Sequence, residues 1–344
     1  MRRFVAVLLL TAAPACAGFT AQDAVAIATA SPAVKASLAT IDTAIARLPA
    51  DLSAPTRDGL LGAATCIAYR KGETADRRKA VVDALLREHY VSDGAAATRS
   101  LYGYPAVTDA TCIHTASPFL ATPGSEEDSH HSWPGGLADH TAFNLHVADD
   151  LAARYSALTS TAYDTGALDA GVLWHDWAKR LVLFWGENGV VSYESPIAGT
   201  SSHHVIGLAE AMARNLPVRE ILVQACAHQA PATETDAKVI GWIKAAAIIA
   251  GVDPVAKGYL KAGGTALEIR PECRINNLSD GNWVYAVPAA QHAKQMIARL
   301  APEAGHKSDD RRFLETALST YGAERFDAIT DAEALALLKA LPKN

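Results

Sequence analysis

Apolar residues along this chain recur mostly at helical spacing, and alternating runs of β-branched residues are scarce. The pattern predicts helices over residues 21–29, 32–48 and 78–90, with Ser, Asp or Pro near several starts. A less regular stretch, 105–124, carries the Pro, Thr, Ser and Gly of a loop. Helical spacing then resumes over 137–157, 165–178, 202–215, 218–228 and 236–251, and again over 291–300, 309–318 and 331–341. One short strand is expected at 180–184. With Gly186-Glu187-Asn188-Gly189 and residues 190–193 it forms a hairpin. The expectation is an all-α protein without internal repeats.

The 344 residues are enough for one large or two ordinary domains. Half are hydrophobic and a fifth charged, a globular composition. The formal net charge is −6 and no basic block occurs, which argues against dedicated nucleic-acid binding. A small anionic substrate stays compatible with that charge if bound cations supply the local positive field.

The first residues read as a signal peptide. Arg2 and Arg3 precede an apolar run, 4–13, too short to span a bilayer, and Ala15-Cys16-Ala17 offers a small-x-small cleavage site before Gly18. Export to a bacterial periplasm is expected, with no membrane span after cleavage. Ala-Pro-Ala-Cys also loosely resembles a lipoprotein box, so lipid anchoring through Cys16 is the alternative. Cys66, Cys112, Cys226 and Cys273 remain. They allow two disulfides in three connectivities, or four buried thiols, and none forms a CxxC pair.

The chemistry lies in a recurrent order of histidine and aspartate: His140, then His175-Asp176, His203-His204, His228 and Asp253. Separations of 25 to 35 residues place each on its own helix, so that helix ends converge on one centre. Imidazole with carboxylate suits Mn, Fe, Ni or Zn. Asp176 can bridge two ions, one through each oxygen. His140, His175 and Asp253 would complete the shell of one ion, and His228 with one of the adjacent pair His203/His204 would hold the other. Adjacent helical side chains diverge by about 100°, so only one of that pair faces the metals. Lys179, three residues after Asp176, reaches a phosphate oxygen in this reading. Of His130 and His131, before the turn Trp133-Pro134-Gly135-Gly136, one touches the substrate or acts as acid, and His131 is the candidate. No GxSxG elbow, P-loop or GxGxxG is present.

Over residues 128–262 the chain resembles the HD-domain superfamily of metal-dependent phosphohydrolases. HHSWPGGLADHT and LWHDWAK are similar to the HHxxxGGLxEHT and LLHDxGK segments of HD-domain exoribonuclease-like proteins. HHVIGLAEA is similar to the HPxxGxxIL segment of HD-GYP phosphodiesterases, whose ligand histidine stands four residues before a glycine. His203 holds that register with Gly207, which selects it over His204. The resemblance implies an all-α HD bundle over 111–265, flanked by an N-terminal helical region (18–110) and a C-terminal helical extension (266–344). It also implies metal ligation by His140, His175, Asp176 and Asp253, with His203 and His228 as the extra ligands of the two-metal subgroup. No GYP segment follows His228, which disfavours a cyclic di-guanylate phosphodiesterase, and Trp177 after the His-Asp pair is expected to narrow the cavity.

The resulting expectation is an exported phosphohydrolase that cleaves a small phosphomonoester or phosphodiester, such as a nucleotide, with metal-activated water. The alternatives are a di-iron oxygenase cleaving C–C or C–P bonds on the same ligands, and a non-catalytic metal- or ligand-binding envelope protein.

Overall fold

Helices supply almost all of the regular structure in a computed structural model, which describes residues 18–62, 65–106, 112–115 and 117–342. The expected signal peptide and Cys16 lie outside the described residues. The N-terminal region contains α1 (Ala21–Ala30), α2 (Pro32–Arg47), α3 (Ala50–Leu61), α4 (Ala75–Arg87) and α5 (Gly94–Tyr102). A long α6 (Gly136–Thr159) opens the central array, followed by α7 (Thr165–Trp174), α8 (Lys179–Val182) and the hairpin β1 (Leu183–Gly186) and β2 (Gly189–Ser192). Then come α9 (Ser202–Ala213), α10 (Val218–Ala225), α11 (Ala237–Ala250) and α12 (Glu272–Ser279). The C-terminal part is α13 (Trp283–Leu300), α14 (Arg311–Tyr321), α15 (Ala323–Asp327) and α16 (Asp331–Lys339). The protein is all-α, and among the described residues no single helix is long and apolar enough to cross a membrane.

Local chemistry explains several boundaries. Thr20 and Thr330 each form a capping box with the acid three residues on, and Ser31 caps α2 with Pro32 in the first turn. The helix expected over 165–178 ends at Trp174, and His175 caps it. The His-Asp pair therefore sits in the tight turn between α7 and α8. The strand expected at 180–184 begins later. Residues 179–182 form a helical turn, and the ladder runs from Leu183↔Ser192 to Gly186↔Gly189. The helix expected from 291 starts at Trp283 and passes through Pro288.

One hydrophobic core joins the N-terminal helices to the central array, running from Ala28 to Ile275. Trp174 donates its indole N–H to Thr56 Oγ1 (3.0 Å) and Trp177 to the Gly59 carbonyl (2.8 Å). Gly59 is required by this approach, since a Cβ there would lie 2.3 Å from the Trp174 ring. Trp177 thus packs away from the cavity against α3 rather than narrowing it, because the turn after Asp176 points its indole into the core. The helices α13–α16 build a second core around Met296, Phe313, Leu318 and Phe326, into which Trp133 inserts. The four cysteines described form two disulfides, Cys66–Cys112 and Cys226–Cys273. The second ties the end of α10 to α12.

A buried acid on α10 has a measurable consequence. Glu220 is fully buried and neither carboxyl oxygen has a hydrogen-bond partner among the described residues. Burial pushes its pKa well above the ordinary 4.5. Below 4.5 folded and unfolded chains are both protonated and no penalty exists. Above it the unfolded chain releases a proton that the native carboxyl keeps, so stability falls as pH rises towards the raised value. Glu220→Gln is expected to raise the thermal midpoint at pH 8 and leave it nearly unmoved at pH 4, as read by calorimetry. An equal shift at both pH values would rule out the ionisation account.

Candidate metal centre

Five elements end at one point. His140 lies on the second turn of α6, behind the Trp133-Pro134-Gly135-Gly136 turn. Gly135 takes φ +89°, and a Cβ on Gly136 would meet the His131 carbonyl at 1.8 Å, so this entry needs both glycines. His175 and Asp176 come from the α7–α8 turn, His203 from the first turn of α9, His228 from the segment after α10, and Asp280 from the end of α12.

Their donor atoms form two groups. His140 Nε2, His175 Nε2, Asp176 Oδ2 and Asp280 Oδ1 lie 3.1 to 3.3 Å from one another across the His–His and His–Asp pairs. Asp176 Oδ1 faces His203 Nε2 at 3.1 Å and His228 Nε2 at 3.8 Å, and Asp280 Oδ2 is 3.9 Å from His228 Nε2. Ligands about 2.1 Å from a transition-metal ion stand roughly 3.0 to 3.4 Å apart in octahedral or tetrahedral arrangement. The first group has that spacing, and the second is slightly more open. Both groups could hold a metal ion.

The unpaired atoms agree with that fit. Asp176 is fully buried, yet neither oxygen has a well-aligned hydrogen bond, although Lys179 Nζ lies 2.5 Å from Oδ2. His203 Nε2 is likewise buried without a hydrogen-bond partner. Such atoms are costly unless a cation or proton satisfies them. Without metals, protons take that role. Burial opposes protonation of His175, but the Asp176 and Asp280 carboxylates outweigh it and push its pKa up to about 10. Burial likewise opposes His203, and Glu194 and Asp176 push it up to about 9. Asp176 is held well below the usual carboxylate range by His175 and Lys179 despite its burial.

A surrounding layer orients the ligands. His175 Nδ1 lies 2.7 Å from the Val172 carbonyl, which places a proton there and leaves Nε2 for the metal side. Glu194 Oε1 accepts from the His203 backbone N–H (2.9 Å) and pairs with His203 Nδ1 (2.7 Å). Asn144, one turn beyond His140, donates to Asp280 Oδ1 (3.3 Å). Glu194→Gln is therefore expected to weaken metal binding at the His203 side by about 10- to 100-fold, the usual cost of removing such a partner. Titration of the metal-depleted protein with Zn or Mn checks this, and equal affinity in both proteins would remove Glu194 from the assembly.

Five of the six expected ligands meet here: His140, His175, Asp176, His203 and His228. Asp253 does not. It is exposed after the left-handed Gly251 that ends α11, and its carboxylate caps a turn through Val255 N (2.8 Å) and Ala256 N (3.1 Å). The part of α11 near the centre is Trp242, whose ring meets His204 edge-on. Eight further residues at 1.5 Å each carry the helix end, Ala250, about 12 Å away, and Asp253 lies beyond it. Asp280 occupies the remaining carboxylate position. The segment Asn276-Asn277-Leu278-Ser279-Asp280-Gly281 carries no ligand signal in the sequence, and Cys273 becomes one only once its pairing is known. Its partner Cys226 is two residues before His228, so that disulfide brings the end of α12 to the site.

His204 is buried behind His228, stacked at 4.3 Å, and burial with the neighbouring His228 keeps it neutral. Of the pair at the α6 entrance, His130 faces the cavity, while His131 is buried behind it with Nδ1 2.9 Å from His130 Nδ1. Burial and His140 push both imidazoles down, His130 to about 3. The histidine in the cavity wall is therefore His130 and not the expected His131, which is buried with a left-handed backbone (φ +55°). Lys179 also lines the cavity, held by the Gly124 carbonyl (2.6 Å) and by Asp176.

The open cavity above the centre has a volume of about 450 Å³ and a mostly polar wall that includes Ser125, Glu126, Ser129, Glu194, Ser195 and Ser201. Fold and site together define an all-α protein whose buried His/Asp clusters could hold metal ions. No known family model, curated protein or solved structure matches the chain.

Proposed function

We propose that the protein is an exported, two-metal phosphohydrolase of the HD-domain superfamily, acting on a small phosphomonoester or phosphodiester. The observation that carries the reading is Asp176, which turns one oxygen to His140 and His175 and the other to His203 and His228. That is a bridging carboxylate between two separate ligand groups. His140, His175, Asp176 and Asp280 would hold one ion. Asp176, His203 and His228 would hold the other, with Asp280 Oδ2 beside it. Divalent ions such as Mn, Fe, Ni or Zn, when bound, supply an acidified water and positive charge against phosphoryl oxygens.

The chain's own residues then have definite tasks. Lys179, the only lysine or arginine in the cavity wall among the described residues, presents its ammonium to a phosphate oxygen while Asp176 and Gly124 fix its position. The His130 imidazole, kept neutral by its surroundings, offers Nε2 to the substrate as its Nδ1 faces His131. Glu194 holds the His203 tautomer and keeps Nε2 directed at Asp176. The Cys226–Cys273 bridge pins His228 and Asp280 to each other's neighbourhood, and two disulfides support life in an oxidising compartment.

Anaerobic purification followed by metal analysis and a panel of phosphomonoesters and phosphodiesters tests the proposal. About two metal equivalents and metal-dependent phosphate or alcohol release are expected. Substrate loss coupled to oxygen consumption would replace it with the oxygenase reading. Metal binding without turnover of any ester would leave a binding protein.

A further inference from the structure

Six tryptophans occur in the chain, and five have structural duties. The indole N–H groups of Trp133, Trp174, Trp177, Trp185 and Trp242 donate to Asp139, Thr56, Gly59, Ala121 and Ala198, respectively, and all five side chains are buried. Trp283 differs. It is 55% exposed, in an exposed run that continues through Val284 and Tyr285. It also stands at the wall of the metal cavity, three residues beyond Asp280.

The backbone around Trp283 is helical. The chain passes from α12 through a short helical turn, 280–282, directly into α13, whose later residues Ala286, Ala289, Ala290 and Ala293 are buried. The helical junction thus sets the backbone of Trp283 three residues from that of Asp280, at the edge of the site. Across the wall the apolar side chains are Leu183, Pro196 and Trp283, and the rest is polar or charged. Of the exposed run Trp283-Val284-Tyr285, Trp283 is the residue that lines the cavity, so its aromatic face is open to a ligand held there.

We infer that Trp283 is a stacking platform that selects substrates carrying an aromatic or other flat ring next to the phosphoryl group. This deepens the function proposed above and rests on it for the anchoring of the phosphoryl group by the metal centre. The ring lies on the indole with Leu183 and Pro196 as further apolar wall, while Lys179 and the metal centre take the anion. Stacking of this kind is worth on the order of tenfold or more in affinity when the platform is truncated.

The test is calorimetry of the metal-loaded protein under nitrogen with phenylphosphonate and methylphosphonate, for wild type, Trp283→Ala and Trp283→Phe. The expected wild-type preference for the phenyl compound is about tenfold or more, collapsing to near one in Trp283→Ala and largely recovered in Trp283→Phe. A wild-type ratio near one, or a ratio retained in Trp283→Ala, overturns the inference. Benzoate against acetate reads the platform without phosphorus. If neither phosphonate binds while benzoate outbinds acetate only when residue 283 is aromatic, the phosphoester reading fails and the platform stands. If no pair shows an aromatic preference that depends on Trp283, the platform fails as well.

Discussion

Asp176→Asn is expected to lose both metal equivalents together and to lower turnover by at least about a thousandfold, since metal charge stabilisation contributes several kcal/mol to such reactions. The argument is geometric. Asp176 Oδ2 belongs to the group with His140, His175 and Asp280, and Oδ1 to the group with His203 and His228. Asparagine keeps the shape, offers one acceptor in place of two anionic oxygens, and removes the charge that balances two cations. A single lost equivalent, with the other retained at wild-type affinity, would show that the two groups are independent and would end the bridging account. Circular dichroism of the metal-free variant separates ligand loss from unfolding.

The second large effect compares two aspartates. Asp280→Asn is expected to weaken the ion at His140 and His175 by about 10- to 100-fold or more, an effect at least as large as loss of an orienting partner, and turnover falls with it. Asp253→Asn is expected to leave metal content and turnover within error, because its carboxylate is exposed and serves a turn. Metal stoichiometry by mass spectrometry on the two variants checks both. A loss of metal in Asp253→Asn with none in Asp280→Asn would reverse the assignment and return the ligand to the position expected from sequence.

That reversal of roles marks where sequence stops being sufficient. The helices of the central array were legible because they have regular apolar spacing and, except for α11, a cluster residue at or near an end, and α6, α9 and α11 start within a residue of the expected positions. The shorter α12 was not. Its eight residues include Arg274, Asn276, Asn277 and Ser279, and their polarity reads as a turn until Cys273, Ile275 and Asn276 are seen buried against α6, α7 and α10. Glu194 and Asn144 escaped for a similar reason. A carboxylate in a loop after β2 and an amide one turn from a histidine carry no signal until folding places them against His203 and Asp280. Which of His130 and His131 lines the cavity depends on how the loop before α6 folds, and it buries His131.

The sequence by itself determined the all-α class, the hairpin's approximate place and four of the six side chains in the clusters, because periodicity and residue chemistry are local properties, and the family resemblance added His203 over His204. It also determined that four cysteines could make two bridges. Only the tertiary structure decided which cysteines pair, which of two histidines faces the cavity, and that Asp280 rather than Asp253 completes the cluster. A helix advances 1.5 Å with every residue, so a carboxylate at the far end of α11 is carried away from the centre. One on a distant segment is brought in wherever packing and a disulfide join α12 to α10.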